Sequence, residues 1–165
     1  MTKTLSIIVA IAEDYGIGYN NKLLAHLSTD LKHFKSMTTG HTVVMGRNTW
    51  ISLPNRPLKD RKNIVVTNKE NELFEGATTV YSIGEALANF PEDGESFIIG
   101  GAMIYNQFFS FANKLYVTHM HKVFEADTFF PEIKTEEWTV ESKSEIFNDE
   151  ISGINFQYVT YLRNN

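Results

Sequence analysis

The chain contains no cysteine, which removes disulfide scaffolds, thiolate nucleophiles and cysteine-ligated metal from consideration. Proline is scarce, with only four residues in 165, so the composition gives no support to a proline-rich linker or a low-complexity chain. No apolar run approaches the ~20 residues of a membrane span. A surplus of cations is also lacking: 15 Lys and Arg against 20 Asp and Glu leave a net charge of -5 and a pI near 5.5. Nucleic acid and anionic membranes are therefore not expected partners, because both need a basic stripe. Absent too are Gly-x-Ser-x-Gly, a Walker A loop and a carboxylate-rich metal loop, so nucleophilic catalysis has no candidate and no metal site is expected. Met1-Thr2-Lys3-Thr4 carries no small-residue cleavage site, and the expected location is the cytoplasm.

What is present suffices for one core. A hydrophobic fraction of 42%, with 13% aromatic, lets residues 1–165 form a single domain without staples. Leu5 to Ala12 is a continuous β-branched run that reads as a buried central strand. Glu13 to Lys22, with Gly16, Gly18, Asn20 and Asn21, reads as a long loop able to cover a ligand. Next comes a helix with Ser28 as N-cap, Asp30 in its first turn, and Leu27, Leu31 and Phe34 at helical spacing. Strands are expected at Thr42–Met45, Ile64–Thr67, Thr78–Tyr81 and Ser96–Ile99, and helices at 46–53, 83–88 (capped by Ser82 and Glu85) and 102–111. This alternation predicts βαβ units and a mostly parallel sheet. Lys114–Met120, Trp138–Glu145 and Asn155–Leu162 read as strands with few helices between, giving an antiparallel C-terminal edge. The fold class is α/β: one mixed, mainly parallel sheet of about eight strands flanked by about four helices.

Asp30 is the chemically interesting acid. The helix N-terminus favours its anion by about 0.3–1 kcal/mol, while burial among leucines and Phe34 favours the neutral acid. Which force wins is not legible from sequence, and a simple helix-supporting role stays open. Val44-Met45-Gly46-Arg47-Asn48-Thr49 reads as strand, glycine, then a helix start bearing a cation, an arrangement suited to phosphate. Ile98-Ile99-Gly100-Gly101-Ala102 is a second such junction, although without the third glycine of a dinucleotide fingerprint. Two junctions in one parallel sheet are best explained by one extended dinucleotide beyond the strand ends. Arg61, in a basic loop, suits a bidentate carboxylate clamp, with a solvated turn equally open. His119 and His121 read as a partly exposed strand face rather than a zinc pair.

Taken together, these residues resemble dihydrofolate reductases of bacterial type over essentially the whole chain. The resemblance rests on Leu5–Ala12, Gly16-Ile17-Gly18, Asp30-Leu31 with Phe34-Lys35, Val44-Met45-Gly46-Arg47 with Thr49-Trp50, Pro57-Leu58 with Arg61-Lys62-Asn63, Ile99-Gly100-Gly101 with Tyr105, Leu115–Thr118 and Asp127–Pro131. It implies NADPH-dependent reduction of dihydrofolate in one-carbon metabolism, binding of antifolates, and a monomer. Asp30, Thr118 and Leu23 then take the catalytic positions, with Thr118 holding the Asp30 carboxylate. Substrate would meet Ile8, Val9, Ala10, Leu31, Phe34, Lys35, Leu53, Leu58 and Ile99, with Arg61 on the glutamate carboxylate. Cofactor would meet Ala10, Ile17, Gly18, Gly46, Arg47, Asn48, Thr49, Thr67, Asn68, Ile99, Gly100, Gly101, Ala102, Met103, Ile104 and Tyr105. An adenosine-binding subdomain would span about 41–93, the Gly100–Gly101 peptide would be cis, and Asp127 would steady the 13–27 lid.

Two departures stand out. Ala25 occupies a position that is usually tryptophan in the family, five residues before the acid, so weakened folate binding is expected. Asn48 and Asn68 stand where basic or phosphate-binding residues are expected, leaving Arg47 to carry most of the preference for NADPH. The alternatives are a pyrimidine-deaminoribitol reductase of riboflavin synthesis and a non-catalytic nucleotide-binding module.

Overall fold

The computed structural model describes residues 3–165; the Met1–Thr2 start lies outside them. Its centre is β1 (Lys3–Ile11), whose apolar residues face both sides of the sheet and are almost all buried. The remaining elements are β2 (Gly16–Tyr19), β3 (Lys22–Leu23), α1 (Ser28–Thr38), β4 (Thr42–Gly46), α2 (Arg47–Ser52), β5 (Lys62–Val66), β6 (Thr78–Val80), α3 (Ile83–Ala88), β7 (Gly94–Gly100), α4 (Ala102–Phe108), β8 (Lys114–Met120), β9 (Thr128–Phe129), β10 (Trp138–Lys143), β11 (Phe147–Asn148) and β12 (Asn155–Arg163). The main sheet runs β10-β12-β8-β1-β7-β4-β5-β6, with β11 paired to β12. From β8 to β6 every neighbouring pair is parallel, whereas β12 runs antiparallel to β8 and to β10. This is the mixed, mainly parallel α/β architecture expected from the alternation of elements.

Apolar layers cover both faces of this sheet. On one, Phe108, Ile104 and Tyr105 of α4 pack with Ile7, Ile98, Leu115 and Val44. On the other, Ile8, Val43, Met45, Val65 and Phe97 meet Trp50 of α2, with Phe34 of α1 against them. Burying the two faces forces the continuous apolar runs that mark these strands in the sequence.

Four local expectations need correction. The N-cap of α1 is Leu27, not Ser28, and no side chain caps the helix. Leu27 is 3% exposed and packs with Met120, Ile154 and Phe156, so core packing rather than a hydroxyl sets the helix start. The segment 13–22 is not simply loop: β2 pairs antiparallel with β3 and β9 in a second, three-stranded sheet. Strands of two to four residues that are rich in glycine carry almost no periodic signal. Glu85 completes the cap of α3 at the Tyr81 amide rather than that of Ser82, although Ser82 Oγ does accept from the Glu85 amide. The expected helix 102–111 ends at Phe108 and tightens into a 3₁₀ turn over Phe109–Phe111.

Candidate active site

Ala10 of β1 lies in register with Thr118 of β8, and α1 crosses beside them. Thr118 Oγ1 donates to Asp30 Oδ1 at 2.7 Å, joining residues 88 apart in sequence. Burial raises the Asp30 pKa above the usual carboxylate range, opposed by the Thr118 bond and by the charge of His33. Desolvation therefore wins over the forces that favour the anion. His33, three residues on and so on the same helix side, stacks on Tyr158 with ring centroids 4.0 Å apart. Burial lowers the His33 pKa, and burial plus the Asp30 charge push the Tyr158 phenol up to about 12. The Tyr158 hydroxyl is buried and makes no hydrogen bond among the described residues. A carboxyl whose proton affinity burial raises, beside an imidazole and a phenol, can keep or pass a proton.

Asp30 opens on a cleft of about 40 Å³ lined by Ala10, Ile17, Leu23, Leu24, Ala25, His26, Leu27, Leu31 and Met120. That is room for water but not for a ring. Leu23 stands at the rim, 75% exposed, and Leu31 is 43% exposed. Ala25 is half-buried against the cluster around Leu27 and Met120. Across the sheet edge, Phe34, Leu53, Leu58 and Ile99 gather around Ile8 and Trp50, while Val9 lies buried in the opposite layer and Lys35 points into solvent. Arg61 sits at the far end of α1: Nη1 donates to Thr38 Oγ1 at 3.1 Å and Nε to the Lys59 carbonyl at 2.9 Å. Among the described residues no carboxylate forms an ion pair with it.

The two glycine junctions adjoin. A Cβ on Gly46 would stand 2.9 Å from Ile104 Cγ1 and 3.9 Å from the Gly100 carbonyl oxygen, so the close approach of α4 to β4 excludes a larger residue. Gly100 has φ +121, a conformation that favours glycine, and a Cβ there would meet the Tyr105 ring at 3.3 Å. The Gly100–Gly101 peptide is cis, as the resemblance implies. Tyr105 is buried, and its hydroxyl donates between the carbonyls of Ile8, at 2.9 Å, and Ile99, at 3.0 Å, tying β1 to β7. Thr49 faces Gly101, Ala102 begins α4, and Met103 and Asn48 are exposed. Ile17 and Gly18 belong to β2, where a Cβ on Gly18 would collide with Thr128 Oγ1 at 2.7 Å. Asp127 holds this segment at two points, its amide donating to the Gly18 carbonyl at 2.9 Å and its Oδ2 accepting from the Asn20 amide at 3.0 Å.

Beyond the ends of β4 and β5 lies an arrangement that the sequence did not disclose. Arg47 Nε donates to Glu72 Oε2 at 2.6 Å, and Thr67 Oγ1 donates to Glu72 Oε1 at 2.6 Å. Arg47 is thus paired within the chain, while Asn68 is exposed beside it. The Thr67 and Arg47 hydrogen bonds hold the Glu72 pKa below its usual value. No local signal marks Glu72, which meets Arg47 from 25 residues away. His33 was detectable in principle through its three-residue spacing from Asp30, but Tyr158 was not.

A family model described as Dihydrofolate reductase matches residues 4–163. The dihydrofolate reductase of Bacillus subtilis (strain 168) is 38% identical over 161 residues, 98% of this chain and 95% of that protein. That of Neisseria gonorrhoeae is 39% identical over 158 residues, 96% of this chain and 97% of the relative. Among solved structures, a dihydrofolate reductase from Enterococcus faecalis complexed with NADP(H) and RAB-propyl superposes with a TM-score of 0.89 at 36% identity, covering 98% of this chain and 97% of that one. The half-buried acid on α1 and the paired glycine junctions therefore sit in a chain that belongs to the dihydrofolate reductase family, a family of oxidoreductases.

Proposed function

We propose that this protein reduces 7,8-dihydrofolate to tetrahydrofolate with NADPH, acting as a monomer in the cytoplasm. The observation that carries the reading is the Asp30 carboxyl, half-buried and bonded to Thr118, on a cleft lined by Ala10 of β1 and Ile17 of β2. Bound NADPH supplies the hydride. The residues present fit it: Gly46 and Gly100 leave two strand ends without side chains, and the adjoining starts of α2 and α4 carry amides without helical partners.

Asp30 serves as the proton-handling group near N5 of the pterin, its pKa raised by burial. Thr118 fixes the orientation of that carboxyl. Phe34, Leu53 and Leu58 provide the apolar walls for the pterin and aminobenzoyl rings, and Arg61, without a carboxylate ion pair among the described residues, takes the glutamate tail. The β2–β3 segment with Leu23 acts as a lid, steadied through Gly18 and Asn20 by Asp127, that excludes water when it closes over the cleft. The test is dihydrofolate-dependent loss of NADPH absorbance by the purified protein. No oxidation above background refutes the assignment.

Ala25 weakens folate binding in this reading. A tryptophan truncated to alanine in a dry site costs about 3–5 kcal/mol, less where water fills the space. Ala25→Trp is expected to lower the KM for dihydrofolate about tenfold, and an unchanged KM and kcat would refute the proposal.

A further inference from the structure

We infer that Glu72 is a specificity-determining residue: its carboxylate occupies the anion-binding donors of the cofactor site and narrows the preference for NADPH over NADH. The inference rests on the proposed cofactor site. Gly46 and Val66 are register partners at the ends of β4 and β5, so Arg47 and Thr67 are the residues immediately beyond two paired strand ends. Parallel α/β sheets receive nucleotides there, and a dinucleotide whose pyrophosphate rests on the adjoining Gly46 and Gly100–Gly101 junctions lays its adenosine ribose over β4 and β5.

NADPH differs from NADH by a single phosphate on that ribose, and Arg47 with Thr67 is a donor set built for an oxyanion. The structure shows it holding one: Arg47 Nε and Thr67 Oγ1 each bond a different oxygen of Glu72, both at 2.6 Å. Thr67 is itself fixed, its Oγ1 accepting from the Lys69 amide at 3.2 Å and its amide donating to the Val80 carbonyl at 3.0 Å. Thr67 is therefore held in place by the backbone around it, and Arg47 is held by Glu72 itself.

A dianionic phosphate and the Glu72 carboxylate cannot share these donors without like-charge repulsion. NADPH binds only as Glu72 swings away, which its partly exposed side chain permits. NADH meets no such conflict, because a carboxylate at this place accepts a hydrogen bond from a ribose 2′-hydroxyl. Glu72 thus penalises the phosphate-bearing cofactor and tolerates the other.

Glu72→Gln, which keeps the shape and removes the charge, tests this by calorimetry with 2′,5′-ADP and 5′-AMP as probes, independently of turnover. The 2′,5′-ADP to 5′-AMP affinity ratio is expected to rise at least fivefold, and the NADPH to NADH ratio of kcat/KM to rise with it. Glu72→Ser gives the same direction should the glutamine variant fold poorly. A structure of the unaltered protein with 2′,5′-ADP is expected to show Glu72 turned off Arg47. An unchanged ratio in variants that bind both probes, or Glu72 still paired to Arg47 beside the bound phosphate, overturns the inference. If the unaltered protein binds neither probe and oxidises no NADPH, the cofactor site itself fails, and this inference fails with it.

Discussion

Asp30 and Glu72 are two carboxylates each accepting a hydrogen bond from a threonine hydroxyl, at 2.7 Å from Thr118 and 2.6 Å from Thr67. Their pKa values nonetheless move in opposite directions, up for Asp30 and down for Glu72. The threonine bond favours the anion in both, so it cannot be the cause of the difference. At Asp30, half-buried on α1, desolvation outweighs the Thr118 bond and the charge of His33. Glu72 is near the surface with Arg47 in contact, and the ionised form is favoured. One site thus presents an acid inclined to hold a proton; the other presents a fixed anion on donors that a ligand phosphate would want. The same threonine–carboxylate motif thus sits in two settings that move the carboxyl in opposite directions.

Abolishing the charge at Asp30 breaks the comparison most severely. Asp30→Asn is expected to lose about 10²–10⁴-fold in dihydrofolate turnover near neutral pH, the usual contribution of a positioned proton donor, while retaining cofactor affinity by fluorescence titration. Full activity would mean that the acid has another role. Next in size, Thr118→Val removes a bond that lowers the Asp30 pKa. It is expected to move the Asp30 limb of the pH–rate profile to higher pH and to destabilise the fold at neutral pH by about 1–3 kcal/mol, measured by urea denaturation. An unmoved limb would detach Thr118 from the chemistry.

The smallest effect concerns stability. Because the folded-state pKa of Asp30 is raised, its contribution is fully favourable at low pH and is lost as pH climbs through that raised value. Asp30→Asn is therefore expected to be more stable than the unaltered chain at pH 7. A gain of about 1 kcal/mol in a domain of this size lifts Tm by roughly 2–4 °C. The gain should fade as the pH is lowered toward the unfolded-state value of 3.8. Calorimetric scans across that range check the sign, and a variant less stable at pH 7 would mean that burial does not dominate at Asp30.

The central strands were legible because a β-branched run buried on both faces leaves an unmistakable pattern: β1 and β8 lie within a few residues of the expected bounds. The antiparallel edge was legible too, from the period-two alternation of Phe156, Tyr158, Thr160 and Leu162 in β12. The three-stranded sheet was not, since its members are too short for periodicity and one of them, β9, comes from far along the chain. In the site, Asp30 was marked by being an acid in the first turn of an otherwise apolar stretch, and the glycine junctions by their position after strands. The cap of α1 was misplaced because the burial of Leu27 is a property of Met120 and Phe156, far along the chain.

The sequence by itself determined the α/β class, the parallel order of the middle of the chain and the short roster of residues able to do chemistry, because hydrophobic period and glycine placement act over a few neighbouring residues. Only the tertiary structure decided which way Asp30 titrates, that His33 rests on Tyr158, and that Arg47 is already held by Glu72. Charge, burial and hydrogen bonding at these points depend on groups 25 to 125 residues apart, and no local pattern carries that information.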